Sequence, residues 1–363
     1  MKKSLLTLTV ISGLLFAGCK KEGCTDPLAT NYNENAQKDD GTCSYDTPQN
    51  SNYLTGTITE NTTLTADKVW ILGGRVTVVN GVILTIEPGT IIKGEVGVGA
   101  NASALIIARG AKLMAEGTEV SPIIFTTIAD EIQVGGFISP NLEPDFSGLW
   151  GGLIVLGNAP ISADADAVQI EGIPASDQNG LYGGNTPTDN SGVLRYISIR
   201  HGGANIGEGN EINGLTLGGV GNGTVIEHIE VVGNQDDGIE FFGGTVNVSN
   251  TVVWNAGDDS YDVDQSWAGT LNNWIEIDGV DHALELDGAE GILVADFSLT
   301  NGTFISADTV QCHFRAAATG YVSYEGLSNV EADEGTNVTV EQLTTGADKN
   351  VLSWTLASRL GKF

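Results

Sequence analysis

The stretch "GNQDDGIEFFGG" at residues 233–244 is followed by "WNAGDDSYDVDQSW" at 254–267. Asp236-Asp237 returns as Asp258-Asp259, and Glu240 is answered by Asp262, each after 22 residues. Two further lines extend the series: "NGLTLGG" from Asn213 and "HALELDG" from His282, at steps of 24 and 23 residues from Asp237 and Asp259. Second short runs lie between them: "TVIEHIEVVGN", "TVNVSNTVVWN" and "LNNWIEIDG". A sandwich gives no reason for the same residue types to return at constant spacing. A solenoid does, because each coil is one repeat stacked on the last. The spacing predicts a parallel β-helix with coils of about 22–24 residues, each of two or three short strands.

Side chains alternate between the two faces of a strand. Leu215 and Leu217, Ile239 and Phe241, Tyr261 and Val263, and Leu284 and Leu286 therefore share one apolar face, the interior. Thr216, Glu240, Asp262 and Glu285 share the other, with Asp264 and Asp287 two positions on. Asp237, Asp259 and His282 open their lines near a corner. Stacked carboxylates about 4.8 Å apart repel by about 3 kcal/mol per pair at an effective dielectric near 20. From His201 to Phe314 there is no Lys or Arg, against 19 acidic residues. Two readings follow: a solvated acidic face that keeps the chain soluble, or a site for a divalent cation such as calcium. The candidate ligands are Asp237, Glu240, Asp259, Asp262, Asp264 and Glu285.

The rest of the chain agrees with an all-β reading. From residue 53, β-branched runs are broken by Gly73-Gly74, Asn80-Gly81 and Pro88-Gly89, and helical periodicity is scarce. The 363 residues carry 46 acidic and 16 basic side chains, a formal charge of −30. That charge argues against nucleic acid, whose phosphates need a basic footprint. The start, "MKKSLLTLTVISGLLFAGC", has a basic n-region and a short apolar core, too short to span a membrane comfortably. It resembles a lipoprotein signal over 1–18, which implies lipidation of Cys19 and a membrane partnership through that anchor. In an oxidising compartment Cys24 and Cys43 are expected to pair, leaving Cys312 as a buried thiol. Residues 19–47 form a small acidic module, 48–52 a linker and 53–363 the solenoid, with insertions near 129–148 and 163–192 and a C-terminal cap over the open end.

Two resemblances sharpen this. "CTDPLATNYNENAQKDDGTC" resembles thrombospondin type 3 calcium loops, which implies oxygen ligands from Asp26, Asn31, Asn33, Asn35 and Asp39. The lines "LTIEPGT" (84–90), "WGGLIVLGNAPI" (150–161), "NEINGLTLGGVG" (210–221) and "DDGIEFFGGTVN" (236–247) resemble a family of exported Bacteroidota lipoproteins. That resemblance implies a right-handed parallel β-helix at the outer membrane, exposed on the cell surface, and brings no catalytic residue with it.

Function then divides in two. One reading is a non-catalytic surface binding or adhesion module, calcium-dependent and carbohydrate-directed, with Trp254, Trp267 and Trp274 stacking on sugars. The alternative is a polysaccharide lyase or glycoside hydrolase using Asp237, Glu240, Asp259 and Asp262. A lyase needs a base, and only Arg195, Arg200 and Arg315 flank the acidic rungs. A zinc site has no support, since His201, His228, His282 and His313 never fall at ligand spacing.

Overall fold

Parallel strands, each joined to its counterpart one coil later, build almost the whole structured chain. The computed structural model describes residues 21, 23, 32–33, 35–38, 52–174, 176–205, 212–305 and 309–363. Cys19, Cys24, Cys43, Asp26, Asn31 and Asp39 lie outside the described residues. In the N-terminal unit, Met1–Ser51, Asn33 Oδ1 accepts from the Asn35 amide at 3.1 Å, and the Gly23 amide donates to the Lys38 carbonyl.

The second unit, Asn52–Phe363, is a right-handed parallel β-helix with three strand columns. One column runs through Ile83–Ile86, Lys112–Glu116 and the first halves of Gly192–Arg200, Val225–Asn234, Val248–Ala256 and Thr270–Ile277. Their second halves, with Ile91–Gly94 and Ile123–Thr127, form the next column. The third contains Ala104–Ile107, Leu153–Leu156, Leu215–Gly218, Ile239–Phe242, Tyr261–Asp264, Leu284–Leu286 and Val310–Phe314. Its register is the one the spacing demands: Thr216 pairs with Glu240, Glu240 with Asp262, Asp262 with Glu285 and Glu285 with His313.

Like stacks on like in the interior. Leu215, Ile239, Tyr261, Leu284 and Cys312 form one buried file. Phe241 stacks on Trp267 with ring centroids 4.1 Å apart. Tyr261 and Phe304 meet Trp274 edge-on. The corner between the first two columns uses one left-handed residue per coil: Tyr196, His228, Asn250, Asn273 and Asn301, with φ of 51–62°. Asparagine tolerates this conformation better than most residues, and here the side chains also stack. Asn273 donates to Asn250 at 2.8 Å, and Tyr196 lies on His228 at 4.2 Å.

The outward faces are not all bare. The segment around Val168–Gln169 and Leu181–Tyr182, a short antiparallel pair, lays Ile170, Ile173 and Tyr182 over Ile106, Ile154, Leu156 and Phe242. The C-terminal segment corrects the expected end cap. Leu352, Leu356 and Ala357 pack along the side, over Val232, Val252, Ile275 and Ile277, because those outward apolar side chains need cover. The last strands, Ser328–Ala332 and Asn337–Gln342, each pair with the preceding coil. Acidic and polar residues fringe them, which discourages edge pairing.

Asn273 Oδ1 also accepts from the Asp348 amide at 2.5 Å, tying the C-terminal segment to the corner. Asn273→Ala is expected to lower unfolding free energy by about 1–2 kcal/mol, measured by chemical denaturation. Asn273→Gly, which keeps the backbone freedom, should lose less.

Candidate functional site

The outward face of the third column gathers the acidic ladder into one pocket of about 490 Å³. Asp237, Glu240, Asp259, Asp262 and Glu285 line it, as the sequence expects. Asp264 lies in an adjoining hollow of about 260 Å³, with Asp287 and Arg315. The ladder is outward but only partly open to solvent: Asp262, Asp264 and Glu285 are half-buried, and the other three acids more deeply so. Asp237, Glu240 and Asp259 are 7%, 5% and 3% exposed, which corrects the expectation of a solvated face. Ile161, Ile170, Ile173 and Tyr182 pack over the neighbouring rungs, and Glu171 of the same segment reaches the pocket.

Backbone geometry fixes the carboxylates. Asp237 Oδ1 accepts the Asp259 amide at 3.0 Å, and Asp259 Oδ1 accepts the His282 amide at 2.9 Å, one coil further on. Each line-opening acid thus caps the start of the next line. Asn213 Nδ2 donates to Glu240. Gly257 admits the close approach at the pocket wall, since a Cβ there would sit 2.2 Å from the Gln235 carbonyl oxygen.

Carboxylate oxygens of Asp237, Glu240 and Asp262 all lie within 4.8 Å of one another, and those of Asp236, Asp237 and Asp258 do likewise. Asp237 belongs to both groups. Asp262 Oδ1 is buried with no hydrogen-bond partner. Among the described residues no ion pair reaches Asp237, Glu240 or Asp262. Burial first, and the neighbouring carboxylates second, hold all three well above the usual carboxylate range. The same causes raise Asp264 to about 8. Burial, then a hydrogen bond with Glu285 and nearby charges, raises Asp259 to about 10.

The later rungs differ. Arg315 Nη1 lies 2.8 Å from Glu285 Oε1, and its Nε lies 3.5 Å from Asp287 Oδ1. His282 Nδ1 is 2.9 Å from Asp259 Oδ1. Arg315 stands just past the stretch without basic residues, and stacking brings it back one coil to meet the ladder. Linear sequence therefore overstated the isolation of Glu285. It also missed Glu171, which lies in a long insertion with no repeat to place it, and Asn213, which opens the "NGLTLGG" line.

The three tryptophans expected to stack on sugars are buried instead. Trp267 and Trp274 are 0% exposed in the interior. Trp254 is 4% exposed in the cluster beneath the C-terminal segment, with Lys362 Nζ 4.8 Å from its ring centroid. Their apolar mass is needed where coils stack and where the tail covers the solenoid.

Residues 56–351 match the model of a family described as a pectate-lyase like β-helix domain. No curated protein matches, and no solved structure does.

The buried carboxylates fix a pH dependence. Unfolded carboxyls titrate near pH 4, while the folded ones keep their protons to higher pH. Their stabilising contribution is full below about pH 4 and drains as pH rises through the folded values, about 8 for Asp264 and about 10 for Asp259. Chelated protein should therefore lose stability between pH 5 and pH 8.5 in urea titrations. Asp262→Asn should recover on the order of 1–3 kcal/mol at pH 8 and flatten the profile.

Proposed function

The chain belongs to the pectate-lyase-like β-helix family, and from that premise we propose a carbohydrate-directed module that takes an acidic polysaccharide through a bound divalent cation. The carrying observation is the triad of buried Asp237 and Glu240 and half-buried Asp262, from adjacent coils, with carboxylate oxygens within 4.8 Å of one another and no ion pair among the described residues. Three carboxylates at this separation repel by about 3 kcal/mol per ionised pair. They must share protons or hold a cation. A hard, oxygen-seeking ion such as calcium suits an all-carboxylate set, with open coordination positions left for sugar hydroxyls and uronate carboxylates. Asp259 and Asp236 stand beside the triad to complete the shell.

Binding is favoured over lyase chemistry by the state of Arg315. Its two carboxylate partners, Glu285 first, hold its guanidinium even more firmly protonated than usual. A proton-abstracting base needs the opposite shift. Fold alone does not decide this point, since one fold hosts many functions. The lipoprotein-like start supports a reading in which the module is held at the outer membrane through Cys19 and faces the cell exterior. On the same reading, the Cys24–Cys43 segment carries a calcium loop of its own through Asp26, Asn31, Asn33, Asn35 and Asp39.

Calorimetry on the chelated protein should show calcium binding with proton release, because the buried carboxyls must ionise to coordinate. Asp237→Asn and Glu240→Gln should each weaken binding at least about tenfold. Polygalacturonate and alginate should be retained with calcium and released by EDTA, with no unsaturated product and no new reducing ends. Product formation in the same tubes would move the reading to the enzyme.

A further inference from the structure

We propose that a second cavity, on the opposite side of the corner at His201, binds a small organic monocarboxylate through Arg200. The cavity has a volume of about 160 Å³, and Arg200, Leu142, Pro144, Leu356 and Leu360 are among its walls. It lies under the 129–148 insertion and the C-terminal helix Leu356–Arg359, shares no lining residue with the acidic pocket, and does not depend on the reading given to that pocket.

Arg200 ends the strand Gly192–Arg200 and is 0% exposed. Its Nε donates to Ser198 Oγ at 2.8 Å and its Nη1 to the Phe137 carbonyl oxygen at 2.5 Å. Its Nη2 is buried and has no partner. Two carboxylates lie near, and neither contacts the guanidinium directly; Glu230 reaches it only through Ser198 Oγ. Glu230 accepts from Ser198 Oγ at 2.7 Å and from the Ala357 amide at 3.0 Å. Asp130 accepts from Thr126 Oγ1, the Ile132 amide and Ser139 Oγ at 2.8–2.9 Å. Among the described residues no carboxylate forms an ion pair with Arg200. In a chain of charge −30, a fully buried guanidinium without an ion partner is costly. Yet it is rigidly seated, with Phe137 beneath it at 4.7 Å and Arg359 also on that ring at 3.7 Å.

A seated guanidinium with a spare donor is the group best suited to a carboxylate. The leucine and proline walls call for an apolar body of a few carbons. Glu143, exposed at the cavity lining, disfavours dianions by like charge. A monocarboxylate meets all three conditions, and inorganic sulfate or phosphate fails the second and third.

The test titrates the full chain with butyrate and benzoate, against butanol, butyramide, sulfate and chloride at matched ionic strength. Melting temperature and the ¹⁵N–¹H signal of the Arg200 Nε are followed together. Saturable shifts with the two acids, tighter for butyrate than for acetate, are expected, with none from the neutral isosteres. Arg200→Met should weaken binding at least tenfold. Leu360→Trp fills the cavity mouth without touching Arg200, and should abolish binding while calcium affinity at the acidic pocket stays unchanged. Sulfate binding as well as butyrate, no saturable response to either acid, or a Leu360→Trp variant that binds like the parent would each overturn the assignment. The last variant keeps the test decisive where Arg200→Met fails to fold.

Discussion

Neighbouring strands of this solenoid run parallel, about 4.8 Å apart, so each side chain meets the one a single coil later. Every other feature answers to that spacing. Inside, it rewards repetition: the file from Leu215 to Cys312 and the ring stack of Phe241 on Trp267 bury apolar surface continuously. At the corners it allows an otherwise unfavourable left-handed residue in each coil, because Asn250 and Asn273 bond across the same distance. Outside, the same spacing sets carboxylate against carboxylate, and no local rearrangement can relieve that without breaking register.

The molecule relieves it unevenly, and the unevenness makes the site. Arg315 and His282 bring positive or donor character to the later rungs. The earlier rungs receive an apolar cover instead, from the segment carrying Ile170, Ile173 and Tyr182. Cover lowers the local dielectric and strengthens each repulsion. Asp237, Glu240 and Asp262 are therefore driven toward protons or toward a cation. The C-terminal segment covers a different face, and there it encloses Arg200 together with Glu230 rather than a stack of acids. In both places the regular coils supply rigid backbone, and an inserted or terminal segment turns an outward side chain into a cavity wall, as loops on rigid scaffolds commonly do.

The acidic composition takes on a local meaning in this light. A charge of −30 spread over a solvated surface keeps a protein soluble. Several of these carboxylates are spent differently, inside a pocket where hydration is reduced and the neighbours are other carboxylates. Under the proposed cation reading, an ion entering the pocket would relieve this repulsion and so couple pocket occupancy to the stability of the central coils.

The amino-acid sequence alone determined the solenoid, its coil length and the register of Thr216, Glu240, Asp262 and Glu285, because stacking copies residue types at fixed intervals and repetition is visible in one dimension. It also determined which face is apolar, through strict alternation along each strand. Burial of the acids, the place of Glu171 beside them, the return of Arg315 and the enclosure of Arg200 were decided only in three dimensions. So was the position of the tryptophans, whose identity fits core and sugar platform equally. The C-terminal segment, too, runs along the side rather than over the end. The return of Arg315 and the interior place of Trp267 and Trp274 come from the stacking of coils, and the other features depend on insertions and a tail that carry no repeat. Their positions follow from whichever outward apolar surface they can cover, and that surface exists only once the coils are stacked.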